Sequence, residues 1–190
     1  MGIEHLTQAN SGAKKAVILD RDGVINSVTV LNGVPRPPRG LSDFQLLPGV
    51  ESAIEDLRNA GFLVFCLTNQ PEIARGTLDR ANVDAISSYL VEWLGIQEVF
   101  VCAHDDADKC HCRKPLAGGV EYFFSKYNLT KVGSFLVGDR WKDIEAGLSA
   151  GLRTILISSE YYESQSVNHD YMASNITEAV EIIMGVQVGS

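Results

Sequence analysis

The chain has 190 residues, 45% hydrophobic and 21% charged, with a formal net charge of −8. That length suits one domain with a full core, and the composition is that of an ordinary globular protein. The acidic balance argues against nucleic acid, which is held by clustered Lys and Arg, and no apolar run reaches the roughly 18 residues of a membrane span.

Residues 1–15 are polar and are expected to be a flexible tail ahead of a single domain over 16–187. Without an apolar core they read as neither a signal peptide nor a membrane anchor. A cytoplasmic location is expected, with the four cysteines reduced or metal-bound rather than disulfide-paired. Ala16-Val17-Ile18-Leu19 reads as a strand buried on both faces, running straight into Asp20-Arg21-Asp22-Gly23. In extended backbone Asp20 and Asp22 project to one side, at the strand end where open α/β sheets place their ligands. Two crowded carboxylates repel, and a hard divalent cation with oxygen ligands relieves them.

Residues 27–47, with Pro35, Arg36, Pro37, Pro38 and Arg39, read as a long exposed loop. Pro48-Gly49-Val50 opens a helix to about Ala60, and Gly61 marks its end. Phe62 to Leu67 is a second apolar strand, ending in Thr68-Asn69-Gln70. A helix over Asp79 to Leu94 and a strand over Val99 to Cys102 follow, then an irregular stretch from Ala103 to Pro115. Next come a helix over Leu116 to Tyr127 and a strand over Ser134 to Val137 that ends in Gly138-Asp139-Arg140. A helix over Lys142 to Ala150, a strand over Thr154 to Ile157 and a helix over Ile176 to Met184 complete the pattern. Ser174 or Asn175 caps the last helix, and Tyr161 to Asp170 carries no signal. Alternating strands and helices predict the α/β class: a Rossmann-like parallel sheet with helices on both faces and no large cap domain.

In such a sheet the clusters Asp20 and Asp22, Thr68 and Asn69, and Asp139 with Asp143 face one crevice, with Arg113-Lys114-Pro115 just before a helix. The order D-R-D-G, T-N-Q, C-R-K-P and G-D-R-x-x-D resembles the haloacid dehalogenase-like superfamily of aspartyl phosphatases, over about Val17 to Ile157. Within it, D-R-D-G-x-I-N with C-x-H and C-x-C-R-K-P is similar to the D-glycero-D-manno-heptose 1,7-bisphosphate phosphatases, and histidinol-phosphate phosphatases share much of the pattern.

Phosphoryl transfer needs an in-line nucleophile, charge neutralisation and a proton for the leaving oxygen. Asp20 is the expected nucleophile, forming an aspartyl-phosphate that water hydrolyses. Asp22 is the expected acid and base, protonating the leaving alcohol and then accepting a proton from that water. The resemblance implies magnesium on Asp20, Asp139 and the backbone carbonyl of Asp22, with Asp143 in support. The Thr68 hydroxyl and the Asn69 N–H are expected to donate to phosphate oxygens. Lys114 would offset charge on phosphate and Asp20, and Arg113 would fork onto a substrate oxygen.

Cys102-Ala103-His104 and Cys110-His111-Cys112 form two i, i+2 pairs, each able to pinch one ion from extended backbone. Cys102, His104, Cys110 and Cys112 would close a tetrahedral, structural zinc site that aims Arg113 and Lys114 into the crevice. Cys66, inside an apolar strand, is expected in the core. Pro71-Glu72 stands where the heptose enzymes commonly have Ser-Gly, and the 27–47 loop also differs from theirs. The substrate is expected to be a small phosphorylated metabolite. A sugar phosphate, such as the 7-phosphate of the heptose bisphosphate, is favoured over histidinol phosphate or transfer to another alcohol.

Overall fold

The run beginning at Ala16 forms the centre of a parallel sheet in the computed structural model, which describes residues 12–159 and 168–188. Expectations for 1–11 and 160–167 lie outside the described residues. The first half of the chain runs β1 (Lys14–Leu19), β2 (Thr29–Leu31), β3 (Val34–Arg36), α1 (Val50–Asn59), β4 (Leu63–Asn69), α2 (Pro71–Ala74), α3 (Arg80–Leu94) and β5 (Glu98–Cys102). The second half runs α4 (Gly118–Tyr127), β6 (Leu129–Gly138), α5 (Trp141–Ser149), β7 (Arg153–Ile157), β8 (Tyr171–Ala173) and α6 (Ile176–Val188). The main sheet has the order β5-β4-β1-β6-β7-β8, with every pairing parallel.

The side-chain alternation of β1 sorts the core into two layers. Val17 and Leu19 face a cluster with Ile54 and Leu57 of α1, Ile86 and Leu90 of α3, and Ile183 of α6. Ala16 and Ile18 face a cluster with Phe65, Leu67, Val120, Phe123 and Leu136 under α4. Both faces of β1 are therefore dry, which is why its apolar residues run without a break. Cys66 is fully buried in the first layer, as expected. Among the described residues no helix is long and apolar enough to cross a membrane.

The structure differs from the sequence reading in several places. β1 begins at Lys14, two residues before the apolar run, because exposed Lys14 and Lys15 pair with Leu129 and Thr130. β6 likewise starts at Leu129, with a register shift opposite Lys15 to Val17, so its first half is half-exposed and lacks an apolar signature. The 27–47 stretch is no plain loop: β2 and β3 form an antiparallel hairpin turning at Asn32 and Gly33, with φ of 53° and 76°. Positive φ at both turn residues is the combination that Asn-Gly serves in two-residue hairpins. Pro71 opens the short α2 at a first-turn position, where its missing N–H costs nothing.

Candidate functional site

Asp20 follows the last residue of β1 and is buried, its backbone N–H donating to the Val137 carbonyl at 2.9 Å. β1 lies between β4 and β6, so the ends of three adjacent strands bring Asp20, Thr68 and Asp139 together. Asp20, Asp22, Thr68, Asn69, Arg113, Lys114 and Asp143 line one pocket of about 120 Å³, together with Val28, Pro35 and Pro37 of the hairpin segment. Carboxylate oxygens of Asp20, Asp139 and Asp143 lie within 4.8 Å of one another. Asp143 reaches them from the first turn of α5, where it also accepts from the Arg140 N–H at 3.0 Å. Gly138 permits this approach: a Cβ there would sit 2.1 Å from the Asp143 Cβ.

Lys114 is the counter-charge. Its buried ammonium reaches Asp20 Oδ1 at 2.7 Å, Asp143 Oδ1 at 2.6 Å and the Leu67 carbonyl at 2.7 Å, so all three protons are used. Asn69 locks this lysine through a reciprocal pair, Nδ2 donating to the Lys114 carbonyl at 3.0 Å and Oδ1 accepting from its N–H at 3.1 Å. Burial lowers the ammonium's affinity for its proton, but the charges of Asp143 and Asp20 outweigh burial and raise it. Three carboxylates against one ammonium, −3 + 1, leave two negative charges in a buried cluster. The consequence is visible in two acids. Burial and then Asp143 push Asp20 up to about 7, with Lys114 pulling the other way. Burial, Asp20 and Asp143 hold Asp139 well above the usual carboxylate range. Both oxygens of Asp139 are buried without a hydrogen-bond partner. Two excess charges and an unsatisfied carboxylate fit a hard divalent cation.

Asp22 sits differently. Arg21, fully buried, donates to it through Nε at 3.2 Å and Nη2 at 3.1 and 2.9 Å, while Asn26 Nδ2 donates at 3.0 Å. Gln70 Nε2 donates to Asp22 Oδ2 at 2.7 Å and to Thr68 Oγ1 at 2.9 Å. The Thr68 oxygen thus accepts internally and keeps its O–H free to donate. Arg21, Asn26 and Gln70 were missed in the sequence reading. The available signal was the spacing of Arg21 and Asn26 around Asp22 in a turn closed by Gly23.

The four soft ligands converge as their spacing implied. Sulfur–sulfur distances are 3.8 Å for Cys102–Cys110, 3.6 Å for Cys110–Cys112 and 3.5 Å for Cys102–Cys112. His104 Nδ1 lies 3.7 Å from Cys102 Sγ and 3.4 Å from Cys112 Sγ. With Zn–S near 2.3 Å and Zn–N near 2.0–2.1 Å, a tetrahedral ion spaces its sulfurs about 3.8 Å apart and sulfur from nitrogen about 3.6 Å. The quartet fits such an ion. It rests on α4, where a Cβ on Gly118 would meet the His111 carbonyl at 2.2 Å.

Two aspartates on this loop hold arginines. Asp105 pairs with Arg75 through two bonds of 2.7 Å, tying the loop to the segment after α2. Asp106 takes Arg113 Nε at 2.8 Å, and Arg113 Nη1 reaches the His104 carbonyl at 3.4 Å. Arg113 lines the pocket as expected, but it is held from behind rather than standing free.

Residues 111–179 match the HAD-hydrolase-like family model. The D-glycero-beta-D-manno-heptose-1,7-bisphosphate 7-phosphatase of Haemophilus ducreyi is 31% identical over 154 residues, covering 74% of this chain and 81% of the relative. That of Bordetella bronchiseptica is 33% identical over 150 residues, covering 76% and 81%. The crystal structure of the B. bronchiseptica D,D-heptose 1,7-bisphosphate phosphatase, complexed with magnesium and phosphate, superposes with a TM-score of 0.73 at 27% identity. That superposition covers 90% of this chain and 99% of the other.

Proposed function

Because this chain belongs to the haloacid dehalogenase-like hydrolases, we propose that it is a magnesium-dependent phosphomonoesterase acting on a small sugar phosphate through an aspartyl-phosphate on Asp20. The 7-phosphate of D-glycero-D-manno-heptose 1,7-bisphosphate is the substrate the relatives' names favour. The observation that carries the reading is the buried cluster of Asp20, Asp139, Asp143 and Lys114, two positive charges short of neutral.

Asp20, Asp139 and the backbone carbonyl of Asp22 would hold magnesium, whose charge offsets the phosphate oxygens and lets an anionic nucleophile approach an anionic ester. Lys114 holds Asp20 by one oxygen, which leaves the other to attack phosphorus. As the new O–P bond forms, the bond to the leaving oxygen breaks and Asp22 delivers its proton to that oxygen. The same carboxylate then takes a proton from water, which attacks the aspartyl-phosphate, releases orthophosphate and restores Asp20. The Thr68 hydroxyl and the Asn69 N–H donate to the transferring phosphoryl group, and Arg113 meets a substrate oxygen at the rim. Asp143 acts by holding Lys114.

Cys102, His104, Cys110 and Cys112 would hold zinc as a structural ion, which would set the loop before Arg113 and Lys114. The chain works in the cytoplasm, where thiols stay reduced, as one phosphatase domain over 16–187 behind an N-terminal tail. Val28, Pro35, Pro37 and Glu72 also line the pocket and would meet the sugar.

The test is phosphate release, with magnesium, from sugar mono- and bisphosphates and histidinol phosphate. Wild-type enzyme should release phosphate from a sugar phosphate, and Asp20→Asn should lower kcat by at least about a thousandfold. An Asp20→Asn enzyme that keeps its rate would end the aspartyl-phosphate reading.

A further inference from the structure

The structure assigns Gln70 a positioning role in the acid–base step: it sets the Asp22 carboxyl against the phosphoryl cradle. This rests on the reading of Asp22 as acid and base, and it concerns a residue the catalytic scheme above does not use.

Gln70 ends the Thr68-Asn69-Gln70 segment and is fully buried. Its backbone N–H donates to the Cys102 carbonyl at 2.8 Å, fixing it to the root of the metal loop. Its side-chain nitrogen bridges Asp22 Oδ2 at 2.7 Å and Thr68 Oγ1 at 2.9 Å. The NH2 faces Asp22 Oδ2 and the Thr68 hydroxyl oxygen, both of which can accept from it. Gln70 Oε1 is buried without a partner, so the side chain is held by its nitrogen alone.

The other donors to Asp22 among the described residues are Arg21 and Asn26, its neighbours in the same turn. They travel with Asp22 and fix its rotamer, not its place in the site. Gln70, one residue past the end of β4, is the donor from outside that turn. The bridge therefore ties the proton-carrying carboxyl to Thr68 on β4 and fixes its distance from the leaving oxygen. Among the described residues no hydrogen bond joins the Gln70 side chain to Asp20 or Lys114, which are held by other bonds.

Loss of the bridge should weigh most where a proton is needed. A sugar alkoxide leaves poorly unless Asp22 protonates it, whereas p-nitrophenolate departs without a proton. The experiment compares kcat/KM for p-nitrophenyl phosphate and for the best sugar phosphate of the panel, in wild type, Gln70→Leu and Asp22→Asn. kcat/KM is the right quantity because it ends at departure of the alcohol, before the shared hydrolysis of the aspartyl-phosphate. Misplacing a catalytic group by about 1 Å can cost on the order of a hundredfold. Gln70→Leu should therefore raise the aryl-to-sugar ratio of kcat/KM by at least tenfold, in the direction of Asp22→Asn. Gln70→Met, of similar size and more adaptable, replaces it if the leucine variant does not fold.

An unchanged ratio in the Gln70 variants, with a raised ratio in Asp22→Asn, overturns the positioning role alone. An unchanged ratio in Asp22→Asn overturns the acid reading and this inference with it. Wild type inactive on both esters overturns the phosphatase reading itself.

Discussion

Replacing Lys114 by methionine keeps a long side chain and removes the one ammonium from a cluster of three carboxylates. The structure says what is lost: two ion pairs, at 2.7 and 2.6 Å, and a bond to the Leu67 carbonyl at 2.7 Å. Breaking a buried pair by deleting one partner costs about 3–5 kcal/mol, because the other partner stays buried and unpaired. At roughly 2–4 °C per kcal/mol for a domain of this size, Tm should fall by about 6–20 °C. The assays are thermal and urea unfolding in magnesium-free buffer, followed by circular dichroism. Adding Asp143→Asn removes one of the stranded charges, so the double variant should be more stable than the sum of the single losses by about 1–3 kcal/mol. A Lys114→Met protein that loses less than about 1 kcal/mol, or whose loss adds simply to that of Asp143→Asn, would refute the charge argument.

Cys110→Ser should lower zinc content below one equivalent by elemental analysis and raise KM for the sugar phosphate, since the loop holding Arg113 loses its anchor. Gly138→Ala places a Cβ 2.1 Å from that of Asp143, so it should cost about 1–3 kcal/mol in urea unfolding and cut phosphatase activity. Acid stability carries a signature of Glu98. Burial pushes this carboxyl up, but bonds from Lys126, Tyr122 and Tyr127 outweigh it and hold the group below its ordinary value of 4.5. A depressed folded pKa gives stability that is present above 4.5 and is lost as pH falls through the folded value. Glu98→Gln should therefore lose stability at pH 7 and show a shallower further loss between pH 5 and pH 3, read from urea midpoints.

The strand ends were legible because a strand buried on both faces must be a solid apolar run, and the first polar residue after it falls at the sheet edge. Asp20, Thr68 and Asp139 all announce themselves this way. The metal quartet was legible because ligand chemistry restricts which residues can serve and the i, i+2 spacing brings each pair to one side. The hairpin had a signal in Asn32-Gly33, but Pro35, Pro37 and Pro38 read as loop and masked it. β6 was cut short because Lys131 and Val132 are exposed where the strand leaves the body of the sheet. Arg21 and Gln70 were hidden for another reason. A charged or amide side chain in a loop reads as solvated, and only the fold shows that both are buried against Asp22. Asp105 and Asp106 were likewise invisible as the partners of Arg75 and Arg113, since pairing across loops leaves no local period.

Sheet order explains how an acidic chain can handle an anion. The strands that feed the crevice stand in the spatial order β5, β4, β1, β6. That order sets Cys102, Thr68, Asp20 and Asp139 along one edge although they are spread through the sequence. The chain reverses direction of winding at β1, which places its end in the gap where loops part and a ligand can enter. Part of the negative charge there is met inside the site, where Arg21 pairs with Asp22 and Lys114 is shared by Asp20 and Asp143. The pocket lining also carries Arg113, Arg140 and Lys142, beside Glu72. Against a net charge of −8 for the whole chain, this small cationic rim is the place where an organophosphate is drawn in. The buried deficit of two positive charges then makes catalysis wait on a divalent cation. The rim selects an anion, and the cluster beneath it decides whether that anion can be attacked.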